Sequence, residues 1–344
     1  MRILVTGGAG FIGSHTVVEL VNAGFEPIII DNFSNSDRSA LEGLRQILNR
    51  DVTFYEGDCN DPETLNAIFE KENLGGVIHF AAHKAVGESV AKPLMYYRNN
   101  LDSTILLLET MQRYGVSNLV FSSSCTVYGQ PEQLPVTEAT PRLPAQSPYG
   151  NTKTICEDII RDTVHSGAAL KAIALRYFNP IGAHPSGLIG ELPLGVPSNL
   201  VPFITQTAAG LREKVTVFGN DYDTPDGTCI RDYIHVVDLA KAHVQALRLL
   251  DSQSESSYYD IFNVGTGQGN TVLELIKTFE EVNQLKLNYT IGPRRPGDVE
   301  KIYAQVDKVN NVMGWRAEQT LADGLRDAWR WEQNLHLKKS TVTG

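Results

Sequence analysis

One segment constrains this chain more than any other. The short β-rich run Ile3–Val5 is followed at once by Thr6-Gly7-Gly8-Ala9-Gly10-Phe11-Ile12-Gly13, and then by the helical periodicity of Ser14–Ala23, with Gly24 at its carboxyl end. Gly8, Gly10 and Gly13 give G-x-G-x-x-G, and Thr6, Gly7, Gly10 and Gly13 give T-G-x-x-G-x-x-G. Such a turn lets backbone N–H groups and a helix amino terminus approach a pyrophosphate. With a strand before it and a helix after it, the run predicts a dinucleotide cradle rather than a glycine-rich turn alone.

The same alternation continues. Ile28–Ile30, Val52–Tyr55, Val77–Phe80, Leu119–Phe121 and Ala172–Leu175 read as buried strands, and Asp102–Arg113 reads as a helix with Ile105, Leu108 and Met111 at helical spacing. Strands and helices in that order predict an α/β fold: a Rossmann-type doubly wound parallel sheet over residues 1–180. After Phe178 the texture turns to Pro- and Gly-punctuated loops, and loops this long in a compact protein carry function. Residues 181–344 are expected to form mostly a smaller mixed α/β substrate-binding domain. The chain is expected to revisit the first domain at about 232–264, and the polar end Gln333–Gly344 is expected to fray.

Lys and Arg number 30 against 40 Asp and Glu, a formal charge of −10. That excess argues against a general affinity for nucleic acid or an anionic membrane, so an anionic ligand must find local positive charge. No apolar run nears the length of a membrane span. The cysteines, at 59, 125, 156 and 229, include no C-x-x-C pair and read as reduced thiols of a cytoplasmic protein. His79, His83, His184 and His235 show no metal spacing and are taken as structural or hydrogen-bonding residues, so no metal is expected.

Asp31 ends the second strand, eighteen residues past Gly13. It is the acidic residue expected to accept from an adenosine ribose, and its charge favours NAD over NADP. Asp58, in Gly57-Asp58-Cys59, is either an adenine contact or a loop aspartate. Tyr149 and Lys153 stand at i, i+4 on a predicted helix after Ser147-Pro148, which puts a phenol and an ammonium on one face. A phenol titrating near 10 becomes a base at neutral pH only beside positive charge. Ser124, at the end of the Leu119–Phe121 strand segment, falls at the carboxyl edge of the sheet, where ligands of such folds bind. Its hydroxyl can share a proton with Tyr149.

These residues resemble the extended short-chain dehydrogenase/reductase superfamily and, within it, the UDP-glucose 4-epimerase family. The sharper likeness lies in His79–Val90, in Arg176–Gly187, and in Phe218–Tyr222 leading to Gly227–Val236. The resemblance runs from Met1 to about Trp331. It implies an NAD-dependent isomerase that interconverts UDP-galactose and UDP-glucose by inversion at C4 through a transient 4-keto sugar. Tyr149, Lys153 and Ser124 would be catalytic. NAD would be held by Gly7, Gly10, Phe11, Ile12, Gly13, Asp31, Asn32, Asn35, Ser36, Asp58, Cys59, Phe80, Ala81, Lys84, Asn99 and Phe178. The UDP-sugar would meet Asn179, Asn199, Leu200, Thr216, Phe218, Arg231, Arg295 and Asp298, with Ile302 at the far wall of the hexose pocket. Guanidinium forks suit a pyrophosphate, although Arg231 and Arg295 also read as ion-pair residues beside Asp232 and Asp298. The family resemblance further implies a homodimer through helices around Tyr97–Tyr114 and Tyr149–Thr163.

Three alternatives stay open at this point. A 4,6-dehydratase would typically carry an acid just after the serine, where Cys125 stands here. The chain could be a 4-epimerase of another UDP-sugar: an N-acetylhexosamine, since Ile302 is of intermediate size, a pentose or a hexuronate. A non-catalytic NAD-binding regulator would need neither Tyr149 nor Lys153.

Overall fold

Near-continuous burial along most strands of the main sheet lays out the architecture of the computed structural model, which describes residues 1–295 and 298–342. The first six strands are β1 (Arg2–Thr6), β2 (Glu26–Asp31), β3 (Thr53–Glu56), β4 (Leu74–His79), β5 (Asn118–Ser124) and β6 (Lys171–Tyr177). Between them run α1 (Phe11–Asn22), α2 (Ser39–Leu48), α3 (Pro62–Lys71), α4 (Val86–Ala91), α5 (Pro93–Tyr114) and α6 (Pro148–His165). There follow β7 (Asn179–Ile181), α7 (Leu200–Ala208), β8 (Val215–Phe218), β9 (Ile230–His235), α8 (Val236–Ser252) and β10 (Tyr258–Val264). The chain ends with β11 (Gly269–Thr271), α9 (Val272–Asn283), β12 (Tyr289–Gly292), β13 (Lys301–Ile302), α10 (Asp307–Val312) and α11 (Leu321–Val342).

The main sheet is parallel, in the order β10-β6-β5-β4-β1-β2-β3. Alternate side chains point to opposite faces. Ile3, Val5, Ile29, Val120 and Ile173 pack against α1, α2 and α8, while Leu4, Ile28, Leu119, Phe121 and Ala172 pack against α3, α5 and α6. Both faces are covered, as an all-parallel sheet requires. Strand order reverses between β1 and β4, which opens a crevice at the carboxyl ends of the strands.

The second lobe is smaller. β7 and β13 pair in parallel with β9, β11 pairs antiparallel with β9, and β12 pairs with β8. Its core joins Val201 and Ile204 of α7, Leu275 and Phe279 of α9, and Leu325 of α11. β9 belongs to this lobe, and the return to the main sheet is made by α8 and β10. A bridging cluster of Cys125, Val127, Tyr128, Phe178, Ile302 and Ala304 sits between the two sheets.

Three local expectations are corrected. The helix read as Asp102–Arg113 starts at Pro93, a residue suited to a first helical turn. Ile105 on it is exposed, and Leu107 is buried in its place beside Leu108 and Met111. The expected fraying from Gln333 does not occur up to Val342, because α11 continues and Asn334 Nδ2 donates to the Gly187 carbonyl at 3.0 Å. Within the Arg295–Asp298 motif, Pro296 and Gly297 lie outside the described residues. All four cysteines are free and buried. No helix among the described residues is long and apolar enough to cross a membrane.

Candidate active site

The glycine turn closes on itself through backbone. Gly10 N donates to Gly7 O at 3.0 Å and Ser14 N to Gly10 O at 2.9 Å. Gly7 has φ +69°, and a Cβ on Gly13 would lie 2.3 Å from Gly7 O, so only glycine fits at both positions. No side chain caps α1, which leaves the first-turn N–H groups facing the crevice. That is the arrangement an anionic pyrophosphate needs, and the residues present fit a dinucleotide.

Two carboxylates stand at the end of the crevice where sequence places the adenosine. Asp31 Oδ2 accepts from Ala9 N at 3.0 Å, and its Oδ1 accepts from Phe33 N at 2.9 Å and from Ser36 Oγ at 2.7 Å. Asp58 accepts from Asn32 Nδ2 at 2.9 Å and from Asn60 N at 2.8 Å. Burial pushes the Cys59 thiol up, so it lines the crevice as an inert group.

At the other end of the crevice the Ser147 side chain caps α6 through Gly150 N at 3.2 Å. This fixes the turn that carries Tyr149. Lys153 is buried; its Nζ donates to the Ser122 carbonyl at 2.7 Å and lies 4.9 Å from the Phe121 ring centroid. Burial lowers its pKa to about 8, with Cys156 and Glu157 acting in the opposite direction. Burial pushes the Tyr149 phenol well above its ordinary value, Tyr177 adds to this, and the hydrogen bond with Ser124 opposes it. Ser124 Oγ also caps the short turn at Cys125–Tyr128, accepting from Thr126 N at 3.2 Å. The protein alone therefore keeps Tyr149 neutral, and a phenolate needs added positive charge nearby.

One cleft of about 280 Å3 runs from Gly7 to Tyr149 and Lys153. Every cofactor-side and catalytic residue expected from sequence lines it, as do Asn179 and Asn199 on the substrate side. A larger hollow of about 550 Å3, open to solvent at Met1, Arg2, Glu26 and Leu74, lies at the opposite edge of the sheet, away from this chemistry.

The remaining substrate-side residues form a neighbouring group. Arg295 reaches Asp298 through Nε at 3.1 Å and Nη2 at 2.7 Å, and its guanidinium stands 5.5 Å from the Phe218 ring centroid. Arg231 Nη2 lies 3.8 Å from the same carboxylate. Ile302 is the register partner of Arg231 and packs with Phe178 and Cys125. Thr216 and Phe218 stand on β8. Leu200 is half-buried at the start of α7, whose N-cap, Asn199, sends its side chain not to the helix but to Glu191 Oε1 at 2.6 Å. Both arginines converge on Asp298, so a pyrophosphate would share or displace that carboxylate.

Sequence reading missed several groups here. Tyr177 lines the cleft and its hydroxyl bonds Ser122 Oγ. Glu191 faces both Asn199 and Lys84, the latter at 3.5 Å, and sits in an irregular loop with no local signal. Glu157, four residues past Lys153, was findable from the spacing Y-x-x-x-K-x-x-x-E.

A dinucleotide cradle and a Ser–Tyr–Lys group at one strand edge define a nucleotide-dependent enzyme that moves protons and hydride. Comparison with known proteins narrows this. The family described as GDP-mannose 4,6 dehydratase matches residues 4–328. UDP-glucose 4-epimerase of Bacillus subtilis is 51% identical over 97% of this chain and 97% of its own length. The crystal structure of UDP-glucose 4-epimerase from Bifidobacterium longum in complex with NAD+ and UDP has a TM-score of 0.93 at 47% identity, covering 97% of this chain and 98% of that one. The epimerase from Stenotrophomonas maltophila, with bound NAD and formylated UDP-arabinopyranose, has a TM-score of 0.95 at 45% identity, covering 98% and 99%. The chain belongs to the UDP-glucose 4-epimerases of the extended short-chain dehydrogenase/reductase superfamily.

Proposed function

We propose that the protein interconverts UDP-galactose and UDP-glucose, inverting C4 of the hexose through a 4-keto sugar. The observation that carries the mechanism is the buried Lys153 ammonium, held by the Ser122 carbonyl one helical turn from Tyr149 and beside Ser124. Bound NAD would supply a reversible hydride acceptor and a positively charged ring. Gly7, Gly10, Gly13 and the first turn of α1 would hold its pyrophosphate, and Asp31 its adenosine ribose.

Tyr149 takes the proton of the sugar 4-hydroxyl as hydride leaves C4, and gives it back after the hexose has presented the other face of its keto group. Lys153 lowers the cost of the phenolate, and Ser124 shares the proton. Arg231 and Arg295 hold the nucleotide diphosphate while the hexose turns, so the 4-keto sugar stays bound until the hydride returns to C4, and no net oxidation follows. Ile302, beside Arg231, borders the hexose end and bears on whether an acetamide is accepted.

A second copy is expected to pack on the helices around Tyr97–Tyr114 and Tyr149–Thr163, where Ile105 and Tyr114 are exposed. We assign residues 1–180, with the return at about 232–264, to cofactor binding and most of 181–344 to substrate binding. The cytoplasm suits the free thiols.

Replacing Tyr149 by Phe removes the acid–base group and keeps the shape. Turnover is expected to fall by about 10²–10⁴-fold with UDP-sugar binding retained, measured by coupled assay and calorimetry. Near-normal turnover would overturn the assignment.

A further inference from the structure

Glu157 follows Lys153 on α6 at the spacing that separates Lys153 from Tyr149. Its side chain is 1% exposed and that of its partner, Arg176 on β6, is 3% exposed. Arg176 donates Nε to Oε1 at 2.8 Å and Nη2 to Oε2 at 2.5 Å. Ser123 Oγ donates to the same Oε1 at 2.5 Å. Behind the pair, Arg176 Nη1 donates to Tyr128 OH at 3.1 Å, and Tyr128 donates to Asn263 Oδ1 at 2.6 Å.

A buried ion pair is a poor source of stability, since well-packed apolar residues serve as well or better. Its place here suggests another use. Ser123 stands between Ser122, whose carbonyl receives Lys153 Nζ, and Ser124, which faces Tyr149. One carboxylate thus ties the helix of the proton-transfer pair to the strand segment that carries both of their partners.

We infer that Glu157, clamped by Arg176, is a positioning residue for proton transfer: it fixes α6 on β5 and sets a negative charge one turn beyond Lys153. The inference rests on the reading of Tyr149 and Lys153 as the acid–base pair. Burial works against the Lys153 ammonium, and Cys156 and Glu157 work for it; burial pushes the Cys156 thiol up, which leaves the Glu157 carboxylate as the charged group of the two. The other groups facing Lys153 offer little charge. They are Tyr149 and the Cys156 thiol on α6, the Ser122 carbonyl and Phe121 ring on β5, and His79 on β4, which burial holds neutral with a pKa of about 3. Glu157 itself is faced by Arg176, by Ser123 and by Arg142, 3.6 Å away, while Tyr259 OH donates to its backbone carbonyl at 3.4 Å.

The test is the pH–rate profile of the holoenzyme for Glu157→Gln, run beside Tyr149→Phe, with cofactor content and melting temperature measured on each. Glutamine keeps an acceptor for Ser123 and removes the charge. The alkaline limb is expected to move to lower pH by roughly half a unit to one unit, because Lys153 loses its proton sooner once the neighbouring negative charge is gone, while the acid limb, where Lys153 is protonated in both proteins, does not move to higher pH. An alkaline limb at its wild-type position, with the height changed or unchanged, would overturn the inference. If Tyr149→Phe turns over normally, the underlying reading fails instead, and the two failures are told apart. Should Glu157→Gln not fold, the double variant Glu157→Gln/Arg176→Met removes both buried charges. It is expected to move the alkaline limb in the same direction by less, and an unmoved alkaline limb there would also overturn the inference.

Discussion

On the wall of the cleft proposed to hold the cofactor, the groups that face it are backbone N–H donors at the end of a buried parallel strand, with Gly7 and Gly13 making room for them. In the neighbouring group proposed to hold the substrate they are side chains from separate elements: Arg231 of β9, and Arg295 and Asp298 of the segment before β13, already paired with one another. A backbone cradle is rigid and fails all at once when its turn is blocked. A side-chain clamp can exchange partners, which suits a substrate that must stay anchored at one end while its sugar moves at the other.

The contrast can be broken first at Gly13. Gly13→Ala puts a methyl 2.3 Å from Gly7 O, so the turn must open. Cofactor recovered from the purified protein is expected to fall more than about tenfold, taking turnover with it, as one lost charge-assisted contact or more would dictate. Full cofactor content in this variant would refute the rigid-cradle account.

Arg231→Met tests the other wall. Loss of one charge-assisted contact is expected to raise KM for the UDP-sugar by about 10–100-fold, with cofactor content unchanged. A parallel loss of cofactor would mean that the two walls are not independent.

Ile302→Ser is the gentler change. The side chain is 4% exposed among Phe178, Cys125 and Ala304, so shortening it opens space at the hexose end. The ratio of UDP-N-acetylgalactosamine to UDP-galactose turnover is expected to rise by roughly tenfold, the scale set by a few methylenes. An unchanged ratio would remove Ile302 from the pocket wall.

Acid stability separates the lobes with the smallest effect. Burial lowers the pKa of His15 and His79 to about 3 and that of His243 to about 4, and all three belong to the main sheet and its helices. Their neutral forms favour the fold, so the stability they contribute is complete above the ordinary histidine value of about 6.5 and is lost as pH falls from there toward 3–4. The melting temperature is expected to be flat above about pH 7 and to decline below about pH 6, with amide exchange rising first in α1, β4 and α8. Earlier loss in α7 and α9 would contradict this.

The same difference between the walls explains what sequence revealed. The cradle, Asp31 and the Tyr149–Lys153 pair are local patterns whose spacing carries the geometry, and the parallel sheet follows from short apolar runs alternating with helices. The arginine clamp depends on pairing across some seventy residues, between β9 and β13, which no local period encodes. Glu157 and Arg176, and Glu191 with Lys84, are likewise pairs whose meaning appears only when distant elements meet. Helix α5 was underread because the segment from Leu94 to Asn100 mixes exposed leucine with polar residues, and Pro93 starts it earlier than its clear periodicity.

The central claim, reversible inversion at C4 with a cofactor that is recycled in place, is tested most directly by proton NMR of the purified protein with UDP-galactose and no added NAD. The account predicts conversion to UDP-glucose up to an equilibrium mixture, with no net change in nicotinamide absorbance. Absence of conversion even after NAD is supplied, from protein whose cradle is shown to be loaded, would contradict it.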